Sequence, residues 1–333
     1  MVPPVFKVLE PVLRSPGADG LPEFLSTVEK SFAEFARSRT GFLAQLSDYV
    51  LTGSGKRVRP GLVFVASRFG SADPAAVRET ALAVELIHIA TLVHDDLVDD
   101  ALMRRQRPTV GVKFGEGAAV LLGDYVYAQA FQRLGALGRP DLVRLYADTT
   151  MVMCEGEIGQ YESRYRFTLS ESEYLDFLGK KTASLMAAAC RSGALLAGLN
   201  EAQARALETF GEKLGVAFQV VDDLLDVEGD EAVVGKTLHT DLTHGKMTLP
   251  LILYSARMSS DKERQALFEL LRNPNGHLRG LIERVRASGV LADCRTKVQQ
   301  LLNEADGALK ALPDVPARRL LADIALRLSS RQV

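Results

Sequence analysis

Cysteine is almost missing from this chain of 333 residues: Cys154, Cys190 and Cys294 stand far apart, odd in number and without ligand spacing. That excludes a disulfide framework and points to a reducing compartment, the cytoplasm. Histidine is scarce too, five in all. The spacings supply neither a zinc site nor the further metal-binding histidines that an HD-type phosphohydrolase needs beside His94 and Asp95. An excess of one charge is lacking as well. With 40 basic against 42 acidic residues and a formal charge of -2, neither nucleic acid nor an anionic membrane surface is expected as the main partner. Apolar runs break at charges before they could cross a bilayer, and the opening MVPPVFKVLEPVL lacks a cationic leader, so neither membrane insertion nor a targeting segment is expected.

What is present is helical periodicity. Apolar residues recur at three-and-four spacing in LPEFLSTVEKSFAEFARS, AVRETALAVELIHIATLVHDD and RALETFGEKLGVAFQVVDDLLD, while alternating strand patterns are rare. Turn signals near residues 15, 70 and 273 divide these stretches. The pattern predicts an all-α fold of ten or more helices, with 47% hydrophobic residues to build its core.

Two of these helices end in carboxylates. In HDDLVDD, Asp95 and Asp99 are four apart and share a helical face; Asp96 and Asp100 repeat the spacing about 100° away. Like charges so placed repel unless a cation bridges them. Oxygen-only ligands suit Mg²⁺, which keeps waters and shares its shell with substrate phosphates. FQVVDDLLD repeats the design with Asp222, Asp223 and Asp226. Two such helices facing one another would cradle a polyphosphate. A solvated acidic helix end is the plain alternative for either cluster alone, and the repetition weighs against it.

Basic residues on nearby loops complete the pattern: Lys56, Arg57 and Arg59 in GSGKRVRP, then Arg104 and Arg105, then Lys180, Lys181, Lys236 and Lys246. None belongs to a P-loop. Lys56 is followed by Arg57 instead of Ser or Thr, and Asp230 stands where the first glycine before Lys236 belongs.

In the order GSGKRVRP, ELIHIATLVHDDLVDD with RRQRPT, KTA from Lys181, GVAFQVVDDLLD and GKTLHTDLTHGKMTLPL, these motifs make the chain resemble the trans-isoprenyl diphosphate synthases, or polyprenyl synthetases. The resemblance runs over most of the chain and implies one synthetase domain over residues 1–333, with the isoprenoid synthase fold. That fold is a large antiparallel helical bundle around a central cavity, in a homodimer. It also implies three Mg²⁺ per active site, with isopentenyl diphosphate and an allylic diphosphate as substrates. By similarity, Asp95, Asp99 and Asp222 bind metal directly, supported by Asp96, Asp223 and Asp226. Arg104, Lys181, Thr182, Gln219, Lys236 and Lys246 hold the allylic diphosphate, Lys181 and Lys236 serving the catalytic step. Lys56, Arg59, His88 and Arg105 hold isopentenyl diphosphate. Ser54 and Gln106 stand where the family usually has glycine, a local departure that removes no charge.

Product length is expected to follow from the helix before Asp95. Ile87 and Thr91 lie eight and four residues before it on one stripe, with Ala90 beside them. A bulky ring at Ala90 or Thr91 would close the cavity early. Both are small, which favours a long product of octaprenyl type, used for quinone side chains, over farnesyl or geranylgeranyl diphosphate. Packing of Ala90 and Thr91 inside the helix bundle, with a floor at Ile87, Tyr125 or Phe131, is the alternative. A class I terpene cyclase would share the first cluster but carry a different second one. The active subunit of a heteromeric synthase is the remaining alternative.

Overall fold

The computed structural model describes residues 18–52, 55, 57–104, 107–228, 245–272 and 278–329. It is helical, as the periodicity predicts: among the described residues the strands are two two-residue pieces. Lys56, Arg105 and Lys236, together with Ser54 and Gln106, lie outside the described residues. The described residues form two compact units, one drawn from within 1–150, 185–211 and 306–325, the other from within 151–184, 212–305 and 326–333.

The first unit opens with α1 (Leu21–Arg37), α2 (Gly41–Leu51), α3 (Val58–Ser67) and α4 (Pro74–Val98). In α1 the buried residues are Leu21, Leu25, Val28, Phe32, Phe35 and Ala36, a stripe at four-and-three spacing. Each large member contributes roughly 1.5–3 kcal/mol of burial. Helix α4 begins at Asp73, whose carboxylate accepts from the backbone N–H of Ala75 and Ala76, with Pro74 at the first helical position. It is buried along most of its length, and packs against α1, α3 and the helices that follow the hairpin, α5 (Val110–Phe114) and α6 (Glu116–Ala136).

The end of α4 has a specific cap. Asp100 adopts a left-handed conformation with φ 48°, its N–H reaching Leu97 O at 3.2 Å and Ala101 N–H reaching Asp96 O at 2.9 Å. This is the two-bond left-handed cap that usually employs glycine. Hairpin strands β1 (Met103–Arg104) and β2 (Arg107–Pro108) then turn the chain back, Arg104 pairing with Arg107.

Helix α7 (Pro140–Glu162) leads to α8 (Glu171–Leu178), a π-helical turn over Gly179–Ala183, and α9 (Ser184–Leu196). A reciprocal Ser170–Glu173 capping box starts α8. Helix α10 (Glu201–Glu228) carries the second aspartate cluster near its end, followed by α11 (Leu249–Ala256), α12 (Asp261–Arg272), α13 (Leu278–Ala287), α14 (Val290–Leu309) and α15 (Pro316–Ser329). Within the first unit, a Cβ on Gly211 would meet Met186 O at 2.6 Å, so only glycine permits α9 and α10 to approach this closely. Arg286 of α13 donates twice to Val227 O, at 2.9 and 2.6 Å, capping α10 with positive charge. No described helix is long and apolar enough to cross a membrane.

Candidate active site

At the end of α4 the aspartates separate into two kinds. Asp95 and Asp99 are half-buried, whereas Asp96 is 7% exposed. Arg104 reaches Asp96 from the hairpin, its Nε donating to both carboxylate oxygens at 2.8 and 2.9 Å. The hairpin is fixed in turn by Thr109, whose hydroxyl donates to Ala101 O at 2.8 Å, and by Tyr49, whose hydroxyl donates to Pro108 O at 2.7 Å. Asp96 is thereby neutralised and oriented, leaving Asp95 and Asp99 as the accessible donors. A carboxylate cluster at the C-terminal, electronegative end of a helix favours a cation.

The second cluster repeats this division. Asp222 is half-buried, while Asp223 is 4% and Asp226 2% exposed. Asp223 accepts from the Tyr174 hydroxyl of α8 and, on its other oxygen, from Gln219 Nε2 at 3.1 Å. Thr182 of the π-helical turn donates to Gln219 Oε1 at 3.5 Å, so Thr182, Gln219 and Asp223 form one chain.

Lys181, on the same turn, pairs with Glu157 and donates to Gln160 Oε1 at 3.0 Å. A Cβ on Gly156 would lie 2.7 Å from both Lys180 Cβ and Lys181 N, so glycine lets α7 lie directly under this turn. Single π-type turns of this sort recur at functional sites. Lys246 is half-buried just after Gly245, whose carbonyl accepts from Tyr165 N–H at 3.0 Å.

Of the basic motif before α3, Arg57 is buried on two carboxylates, its Nη1 2.9 Å from Glu85 and its Nε 2.5 Å from Glu29. Arg59 is half-buried, and its buried Nε has no hydrogen-bond partner among the described residues. Burial pulls the Arg59 guanidinium below the ordinary arginine pKa, and Glu85 opposes that pull. On α4, Ile87 and Ala90 are fully buried and half-buried Thr91 donates its hydroxyl to His88 O at 2.8 Å.

Among the described residues no three His, Cys, Asp or Glu side chains gather as a preformed metal cage. Each cluster by itself, Asp95 with Asp99 and, separately, Asp222, fits an ion that takes one or two carboxylates and completes its shell with water and phosphate. Spacing did not reveal Tyr174, Glu157, Gln160 or Glu85. Glu157 and Gln160 share a helical face, and Glu85 is a lone charge inside ALAVELIHIA; both were visible signals.

Residues 40–285 match the family described as Polyprenyl synthetase. Heptaprenyl diphosphate synthase component 2 of Geobacillus stearothermophilus is 36% identical over 312 residues, covering 93% of this chain and 97% of that protein. Octaprenyl diphosphate synthase of Escherichia coli (strain K12) is 34% identical over 303 residues, covering 90% and 94%. The crystal structure of a polyprenyl synthase from Caulobacter crescentus CB15, complexed with calcium and isoprenyl diphosphate, matches with a TM-score of 0.88 at 29% identity, over 100% of this chain and 99% of that one. Similar proteins named for nonaprenyl and geranylgeranyl products lie at comparable identity, so likeness alone does not set product length.

Proposed function

The chain belongs to the polyprenyl synthetase family, and on that premise we propose that it builds a long trans-polyprenyl diphosphate, octaprenyl-like, of the kind used for quinone side chains. Its all-α bundle is the isoprenoid synthase fold, and the protein is a magnesium-dependent prenyltransferase that condenses isopentenyl diphosphate with an allylic diphosphate.

One observation carries the assignment of roles. In both clusters the aspartates assigned to metal, Asp95, Asp99 and Asp222, are half-buried, and the supporting ones, Asp96, Asp223 and Asp226, are buried. Asp95, Asp99 and Asp222 would hold magnesium, three ions per site, which would supply positive charge for the departing diphosphate. Arg104, Lys181, Thr182, Gln219, Lys236 and Lys246 bind the allylic diphosphate and stabilise it most as its C–O bond breaks and the electron pair leaves with it. Lys56, Arg59, His88 and Arg105 hold isopentenyl diphosphate while its double bond attacks the allylic cation. The released diphosphate accepts the proton, so no side chain need act as a strong base.

Ile87, Ala90 and Thr91 form the chain-length wall: half-buried Thr91 is its accessible member, and the fully packed Ile87 and Ala90 stand behind it. The chain acts as one synthetase domain in the cytoplasm. A homodimer is supported by Val98, Leu102, Met103, Val112, Val120 and Leu121, large apolar residues exposed within one unit. A heteromeric active subunit is the second reading, because one relative is named as component 2 of its synthase.

The test is incubation of the purified chain with labelled isopentenyl diphosphate, Mg²⁺ and each allylic primer, sizing the products. Products beyond geranylgeranyl length, shortened in Thr91→Phe, are expected. A stop at farnesyl or geranylgeranyl overturns the long-chain reading, and no elongation without a second protein favours the heteromer. Asp95→Ala and Asp222→Ala should each abolish turnover with helical content intact; retained activity would sink the two-cluster mechanism.

A further inference from the structure

The charges beneath the basic motif are unusual. Arg57, 3% exposed and held at φ 47°, a left-handed conformation costly for a residue with a side chain, fills the space between α1 and α4. Its guanidinium meets Glu29 of α1 and Glu85 of α4, donates to Leu51 O at 3.1 Å and lies 4.8 Å from the centre of the Phe32 ring. Glu85 is 3% exposed. Buried charges are costly, and apolar residues of similar volume would commonly do as well for stability alone. Among the described residues, two carboxylates face the one guanidinium of Arg57.

Arg59 sits on α3, which packs against α4, two residues after the Arg57 that binds Glu85, and among the described residues its buried Nε has no acceptor. Glu85 therefore attracts the charge of Arg59 while leaving a donor for another anion. His88 lies three residues after Glu85, on the same face of α4.

We propose that Glu85 is a positioning residue for isopentenyl diphosphate, acting through Arg59: its buried charge holds that guanidinium ready for a diphosphate oxygen. The proposal rests on the reading that Arg59 binds isopentenyl diphosphate. Replacing Glu85 with Gln keeps shape and an acceptor for Arg57 but removes the charge. The KM for isopentenyl diphosphate should then rise about tenfold, the size of one close charge interaction. The KM for the allylic primer and kcat at saturation should stay within about twofold. Glu85→Asp, which restores the charge, should recover most of the loss, which a purely steric role would not allow.

The experiment is steady-state kinetics of Glu85→Gln, Glu85→Asp, Arg59→Gln and the double variant Glu85→Gln/Arg59→Gln, with helical content checked by circular dichroism. The double variant should be no worse than Arg59→Gln alone. If Arg59→Gln leaves the KM for isopentenyl diphosphate unchanged, the underlying reading of Arg59 fails. If Arg59→Gln raises it but Glu85→Gln does not, or if Glu85→Gln lowers kcat and raises both KM values together, only the positioning role is overturned. Should Glu85→Gln not fold, Glu29→Gln gives the same test, because freeing Arg57 from Glu29 makes it compete for Glu85; an unchanged KM there refutes the proposal.

Discussion

Replacing Tyr174 with Phe removes one oxygen atom and tests how the second aspartate cluster is held. Tyr174 is 3% exposed and its hydroxyl donates to Asp223, itself 4% exposed, so water cannot readily replace the lost donor. A hydrogen bond to a charged group contributes about 1.5–3 kcal/mol, against about 0.5–1.5 kcal/mol between neutral groups. Tyr146 supplies the neutral comparison: it is fully buried, and its hydroxyl lies 2.9 Å from Ser192 Oγ. Urea denaturation should thus show Tyr174→Phe as the more damaging of two chemically identical changes. A double-mutant cycle with Asp223→Asn should give a coupling above about 1 kcal/mol. Gln219 still holds the other oxygen of Asp223, so turnover should fall by about tenfold, roughly 1.4 kcal/mol, without vanishing. A coupling below about 0.5 kcal/mol together with unchanged kcat would refute the link between Tyr174 and the cluster.

Gly156→Ala should push the π-helical turn off α7 and cut activity through Lys181, measured as a drop in diphosphate release with circular dichroism unchanged; wild-type rates would contradict the close contact. Gly211→Ala gains about 1 kcal/mol in helix propensity but drives a methyl against backbone, for a net loss of about 1–2 kcal/mol in urea titration. Iodoacetamide at mildly alkaline pH should label exposed Cys154 ahead of Cys190 and Cys294 in the folded protein. Burial, and then the charge of Asp293, pushes the Cys294 thiol up to about 12, and burial raises Cys190 as well. Both thiols therefore stay protonated in the folded state while the unfolded chain ionises near pH 8.5, so their contribution to stability is intact below about pH 8.5 and falls as pH rises above it. Equal labelling of all three thiols would overturn this.

The helices were legible because their cause is local. The α1 stripe from Leu21 to Phe35 and the Asp73-Pro74 start of α4 read directly as burial and capping. The aspartate clusters were legible as spacing, but their division into accessible and buried members was not. Asp96 is buried because a hairpin returns Arg104 to it, and Asp223 because Tyr174 comes from another helix, contacts separated by 8 and 49 residues. Arg57 shows the same limit. Beside Lys56 and Arg59 it looks like a third cation for the ligand, and only the approach of α1 and α4 reveals that Glu29 and Glu85 already claim it.

The acidic end of α4 also links folding to ion supply. Carboxylates gathered at the electronegative end of a helix, up to a left-handed Asp100, favour whatever cation settles there. An ion present at about a hundred times its dissociation constant adds about 2.7 kcal/mol to the folded state by mass action alone. Chelation would therefore lower the melting temperature as well as stop turnover. In a cell starved of magnesium, the enzyme would become easier to degrade at the same moment that its chemistry failed.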